Sequence, residues 1–313
     1  MKNQTTVEEF ILLGLSNNRH LIIIPFVVLL LVFLLSIMGN IPVVILTLRD
    51  HHLQSPMYFF LRNFFLLEIC FTYIIMPSFL YSLLTERKSI SLPGCFHQLL
   101  LFFLLGFYLL AAMSFDRYIA ICNPLHYTSI MTSHFCDWLV LASWLIGLGY
   151  VIVPLVLLFQ LPFSGPNIIN HFFCDSAALL ELACTDTRLL GLLSFLLATG
   201  SILGTLAITV VSYFKVISME MRIPSTAERQ KAFPTCSSHI TVISITYSSC
   251  IFVYVTPTCR SRLDLRGAVA LLNNVVSPLL NPFIYSLRNK QVKEALRDAL
   301  SQSAVLCCLL KSA

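Results

Sequence analysis

The sequence predicts an all-α membrane protein: a seven-transmembrane helix bundle with a short amphipathic cytoplasmic helix after it. Three observations carry that prediction. First, only 11% of the 313 residues are charged against 57% hydrophobic, with a mean hydropathy of +0.84, far from a soluble globular domain. Second, the apolar residues form long runs. Residues 21–48, 89–115, 138–173, 189–214, 232–259 and 267–287 contain no Asp, Glu, Lys or Arg, and 56–84 is interrupted only by Arg62 and Glu68. Each reaches the roughly 20 residues a helix needs to cross a bilayer. Third, the runs lack the polar–apolar alternation of barrel strands, so helices are left as the way to satisfy the backbone in lipid.

The chain divides into an N-terminal tail (1–20), the bundle (21–287) and a C-terminal helix and tail (288–313). Orientation follows from Lys and Arg at the run ends. Arg49, Arg62, Arg117, Lys215, Arg222, Arg229, Lys231, Arg288, Lys290, Lys293 and Arg297 lie on one side, against Arg19, Arg87, Lys88, Arg188, Arg260, Arg262 and Arg266 on the other. The richer side is read as cytoplasmic, with the N-terminus outside, at the plasma membrane. The chain's only N-x-Ser/Thr sequon, Asn3-Gln4-Thr5, falls on that outer tail and makes Asn3 a glycosylation candidate. Residues 1–20 carry Glu8 and Glu9 rather than a basic segment joined to an apolar core, so the first span is expected to direct insertion.

Ionisable residues inside the spans are scarce and therefore informative. Glu68 is the one acid within a run, where a charge costs about 2.5–3.5 kcal/mol on insertion scales, and such an acid is a functional candidate by default. The third run ends in an adjacent acid and base, Asp116 and Arg117, whereas an Arg that merely snorkels to the interface needs no acid before it. In the last run Pro282 removes a backbone donor beside Asn281, and Tyr285 follows one turn on. Beyond it, Val292, Ala295, Leu296, Ala299 and Leu300 share one helical face opposite basic residues, a pattern that lies on membrane lipid. Cys307 and Cys308 are palmitoylation candidates. Of the 11 cysteines, Cys95, Cys174, Cys184 and Cys259 fall in outer regions. Cys95 with Cys174 is the favoured bridge, tying the third span to the second outer loop, although spacing alone does not settle the pairing. His171, Cys174 and Asp175 are metal-ligand types in one loop, but a bridged Cys174 has no thiolate to offer, and no metal is expected.

Five phrases carry a family resemblance: Leu53 to Leu61 entering the second span, Met113 to Tyr127 ending the third, Ser212-Tyr213, Lys231 to His239, and Pro278 to Asn289. In order and spacing they resemble the odorant (olfactory) receptors of class II, the tetrapod type, within the rhodopsin-like G protein-coupled receptors. The likeness runs from about Phe10 to Leu300.

That resemblance implies roles for particular residues. Asp116, Arg117 and Tyr118 form the motif whose Arg is held at rest and meets the G protein on activation, with Tyr213, Asn281, Pro282 and Tyr285 as further switch residues. Asn40 and Glu68 are expected to form a polar core with Asn281. Many relatives place a second acid where this chain has Gly106, which argues against a sodium ion at Glu68, and no cofactor is expected. The ligand site falls in the outer half, at Leu99, Leu100, Phe103 and Leu104; Leu197 and Ser201; Tyr247, Cys250, Ile251 and Tyr254; and Leu271 and Asn274. So apolar a set suits a small hydrophobic volatile. The family usually has a cysteine at Ser164 to pair with Cys184; its absence makes Cys184 with Cys259 a candidate bridge.

The expected partners are a small hydrophobic odorant, a stimulatory olfactory-type heterotrimeric G protein that raises cyclic AMP, and membrane lipid, but no nucleic acid. No phosphate loop, zinc-helix signature or nucleophile elbow occurs, so an enzyme is not expected. The competing readings are a non-olfactory receptor for a peptide or lipid-like ligand, kept open by Arg260, Arg262, Asp264 and Arg266, and a transporter or channel. The latter is disfavoured because one acid stands nearly alone among the spans.

Overall fold

The computed structural model describes residues 9–12, 19–50, 53–84, 89–103, 106–163, 168–169, 174, 176–222, 237, 239–251, 277–285 and 292–298. The described parts of the uncharged runs are largely helical. The first two spans are α1 (Arg19–Arg49) and α2 (Pro56–Leu84). The third is built from α3 (Leu92–Phe103) and α4 (Phe107–Cys122), with Gly106 between them. A 3-10 turn (Pro124–His126) and the short α5 (Tyr127–Ile130) lead to α6 (Ser133–Phe159), and α7 (Ser176–Leu182) precedes α8 (Arg188–Glu220). The described parts of the last two spans are α9 (His239–Ile251) and α10 (277–285), followed by α11 (292–298).

Helix ends do not coincide with the uncharged runs. α6 starts at Ser133, ahead of the run's first residue Trp138, because the Thr132 side chain caps it by accepting from the Phe135 amide at 3.3 Å. α8 likewise continues past Phe214 to Glu220. Hydrogen-bond ladders run on into the interface, whereas the apolar run marks only the part that meets hydrocarbon.

Exposure is inverted relative to a soluble domain. Leu31 and Met38 of α1, Trp138 and Leu145 of α6, and Leu203, Val210 and Phe214 of α8 are exposed, while Ser36, Asn40, Thr72, Ser114, Asp116, Thr205, Thr209 and Asn281 are buried. Among the described residues four helices are each long and apolar enough to cross a bilayer alone. α4 is the most enclosed, with Phe107, Leu110, Met113 and Ile119 packed against α2, α6 and α8.

One feature departs from an all-helical reading. Part of the expected tail, Glu9–Leu12, is a strand (β1) at the centre of a three-stranded sheet ordered β2-β1-β3. It pairs antiparallel with β2 (Ser89–Ser91) and parallel with β3 (Ile168–Ile169). The sheet sits at the end of the bundle that carries the Cys95–Cys174 disulfide, whose Cα atoms are 5.4 Å apart, so the favoured bridge is present. Beneath the sheet lies a second apolar core of Phe10, Cys95, Leu99, Val151, Leu155, Leu158, Ile169, Cys174 and Leu179, separate from the main core around α2, α4, α8 and α9.

Asn3, Leu104, Tyr254, Leu271, Asn274, Cys259, Cys307 and Cys308 lie outside the described residues. Phe103 is placed as the last residue of α3.

Candidate functional site

The end opposite the disulfide holds the Asp116–Arg117 pair. α4 places Asp116 fully buried, and Arg117, its side chain 17% exposed, closes on it through Nη2 at 2.6 Å and Nε at 3.1 Å. Pro124 turns the chain after Asn123 and brings Tyr127 back, so that its hydroxyl donates to the other carboxylate oxygen of Asp116 at 2.9 Å. Burial, and then the neighbouring Asp116 carboxylate, raise the Tyr127 pKa well above that of a free tyrosine, so the hydroxyl keeps its proton for this bond. Tyr118 offers its ring to Lys215 of α8, with Nζ 5.0 Å from the centroid.

Beside this pair, three buried residues from different helices meet. Tyr213 of α8 and His239 of α9 share a hydrogen bond through Oη and Nδ1, and their ring centroids lie 5.6 Å apart. The His239 ring is 6.3 Å from Tyr285 of α10, which also meets Phe65 of α2 edge-on at 5.8 Å. Three helices, α8, α9 and α10, are thereby joined at one point.

The bundle's middle is organised by Pro282. Lacking an N–H, it cannot donate to the carbonyl of Pro278 one turn earlier, and the Asn40 side-chain amide of α1 supplies that hydrogen bond at 2.9 Å. Asn40 also donates to the Ser36 carbonyl at 2.8 Å. Gly39 is required for the approach: a Cβ there would stand 2.9 Å from Cγ of Pro282. Asn281 then donates to Glu68 Oε1 at 2.7 Å, joining α10 to α2. Glu68 Oε2 and Thr246 Oγ1 have no hydrogen-bond partner among the described residues, and both residues line a cavity of about 30 Å³ with Phe64, Gly106, Ser277 and Pro278. That space suits one or two waters. At Gly106, the Phe64 ring occupies the room a side chain would need, since a Cβ would stand 2.8 Å from it.

The expected ligand residues fall into two groups. Leu99 is buried in the core beneath the sheet, and Leu100 packs against that core. Tyr247 and Cys250 are buried in the main core with Ile251 against it, and Tyr247 meets Phe107 at a centroid distance of 5.1 Å. On α8, Leu197 is half-buried, and the Ser201 hydroxyl donates to Tyr108 Oη at 2.8 Å, which ties α8 to α4. Tyr127, His239 and Tyr108 were not singled out from sequence. The first two stand inside the motif phrases; Tyr108 carried no signal, because the partner it meets is 93 residues away.

Comparison of the sequence with known proteins points to one family. A family model described as "Olfactory receptor" matches residues 29–303. Olfactory receptor 6E1 of Mus musculus is 53% identical over 306 residues, covering 96% of this chain and 98% of its own. Olfactory receptor 6C75 of Homo sapiens is 50% identical over 305 residues, with the same coverage. Among solved structures, squid rhodopsin superposes with a TM-score of 0.71 at 17% identity, covering 94% of this chain and 84% of that one. This likeness reflects a shared seven-helix fold.

Proposed function

The chain belongs to the olfactory receptor family, and from that premise we propose that this receptor binds a small, neutral, hydrophobic odorant and activates a stimulatory heterotrimeric G protein, raising cyclic AMP. It is a multi-pass membrane receptor and not an enzyme. In this reading it sits in the plasma membrane with the disulfide end outside and the Asp116 end in the cytoplasm, as the excess of Lys and Arg at the latter suggests.

The observation that carries the reading is the closed Arg117. Its guanidinium is held by a buried carboxylate that Tyr127 holds from the other side, so Arg117 carries a charge whose hold on Asp116 an incoming group would have to replace. Breaking a buried pair leaves a charge in need of compensation, which an incoming G protein segment can supply. An odorant seated between Leu99 and Tyr247 would favour a different packing of α9 against α4. Movement of α9 would part His239 from Tyr213, freeing that hydroxyl to meet Arg117. The ligand works by binding the open arrangement more tightly than the closed one.

No sodium ion enters this scheme. Among the described residues Glu68 is the single acid lining the cavity, the Asn281 amide donates to its Oε1, and the position for a second acid is Gly106 against Phe64. A donor set with one unengaged carboxylate oxygen and two hydroxyls among the described residues is poor for a hard cation that wants several oxygens.

The test is Arg117→Ala. Cells expressing it at the surface at normal levels should give no cyclic AMP response to an odorant that activates the unaltered receptor; a full response would remove Arg117 from this role.

A further inference from the structure

Resting on the odorant-site reading, we propose that the N-terminal strand is part of that site, with Phe10 as the roof that positions Leu99 and the Cys174 loop. Strand alternation turns Phe10 inward between exposed Glu9 and Ile11, and Phe10 is 0% exposed. Its ring meets Phe163 edge-on at 5.5 Å and belongs to the same buried cluster as Leu99, Cys95 and Cys174. β1 is the central strand, so it joins the segment before α3 to the loop before Cys174: Phe10 faces Ile90 across one ladder, and Ile11 and Leu12 pair with Ile168 and Ile169 across the other. Gln98, one turn from Cys95 and next to Leu99, holds the same loop by accepting from the Cys174 amide at 3.2 Å.

A solvated tail would contribute nothing to ligand choice. A strand whose inward aromatic shares one buried cluster with Leu99, Cys95 and Cys174 closes that end of the bundle over the expected ligand site. Removing that ring leaves a space over Leu99 that water and a longer ligand can enter, and a smaller apolar residue of similar reach should restore the closure. Phe10 is thus a positioning residue: it shapes the site through Leu99 and the loop and is not required to touch the odorant.

The experiment uses full-length receptor in lipid nanodiscs, with Leu99→Cys as reporter and a charged methanethiosulfonate as probe, counted by peptide mass. With Phe10 intact, residue 99 should label slowly. Phe10→Ala should speed labelling about tenfold or more, as expected when a protected position opens, and Phe10→Leu should return it most of the way. Equal rates in all three would overturn the roof. Because Phe10→Ala can fail to reach the surface, a second arm keeps Phe10 and Leu99 and replaces the facing pair, Glu9→Cys with Ser91→Cys. Spontaneous cross-linking supports the docked strand, and its absence overturns it.

The link to ligand choice is read with straight-chain aldehydes from hexanal to decanal at matched surface expression. Phe10→Ala should shift the half-maximal concentration, unequally along the series, with the maximum unchanged. A uniform loss of maximum without a shift means a merely structural role and overturns the proposal. If the unaltered receptor ignores the whole series, that counts against the odorant reading of the chamber, while the labelling and cross-linking arms still decide the roof.

Discussion

A single hydroxyl, that of Tyr127, closes the far side of Asp116, and its loss should be visible in the resting signal. Tyr127→Phe keeps the ring and removes one hydrogen bond to a charged acceptor, worth about 1.5–3 kcal/mol at most. Basal cyclic AMP at matched surface expression should therefore rise several-fold; an unchanged basal level would show that Tyr127 is not part of the closed state. The bond is also robust to pH in the neutral range. Because the folded state raises the Tyr127 pKa, its contribution is present below the free tyrosine value and is lost only as alkaline pH passes the raised one. Gly106 is the second telling residue. Gly106→Ala should destabilise the receptor by about 1–3 kcal/mol by forcing Phe64 aside, read as a lower melting temperature in nanodiscs, and Phe64→Leu in the same chain should recover most of it. From sequence, Gly106 was notable only as a missing acid. That the space is taken by a ring from α2 needed the packed helices.

At the level of elements, the contact between α1 and α10 explains why Gly39 and Asn40 stand side by side. Gly39 lets the Pro282 ring in, and Asn40 replaces the donor that Pro282 lacks. Asn40→Leu should leave the Pro278 carbonyl without that bond in the bundle interior, at a cost of about 1–3 kcal/mol, and thermal unfolding of the purified receptor should fall accordingly. No loss of stability would mean that another group takes over. The helices themselves were legible as uncharged runs, since lipid contact demands apolar surface along their whole length. Their ends were not, as Thr132 and Glu220 illustrate, because caps and continued ladders leave no trace in hydropathy. Nor was β1: four residues, Glu9 and three apolar ones, in an expected tail are too short a signal and show no alternation, and their partners lie about 80 and 157 residues away. The motif residues Asp116, Arg117, Asn281 and Tyr285 were legible because charge, amide and proline are conspicuous among aliphatics.

For the whole molecule, the apolar core beneath the sheet is closed by a covalent link between two of its own members, Cys95 and Cys174. Cys95 and Cys174 are 79 residues apart, and in the chain-entropy account a bond closing such a loop contributes about 4 kcal/mol. Cys95→Ser should lower surface expression and the melting temperature together, whereas normal values of both would show that the sheet alone holds the loop. The sequence by itself determined that the chain spans a membrane seven times, which acid and base stand at a helix mouth, and which family it resembles. Those follow from the cost of placing polar groups in hydrocarbon, a constraint that acts on each span locally. Only the tertiary structure decided that Tyr127 and Arg117 share one carboxylate, that His239 joins Tyr213, that Asn40 serves Pro278, and that Phe10 shares a buried core with Leu99. Each of these pairs or clusters residues that do not stand side by side along one helix, and such meetings are set by how the folded elements pack, which no local pattern records.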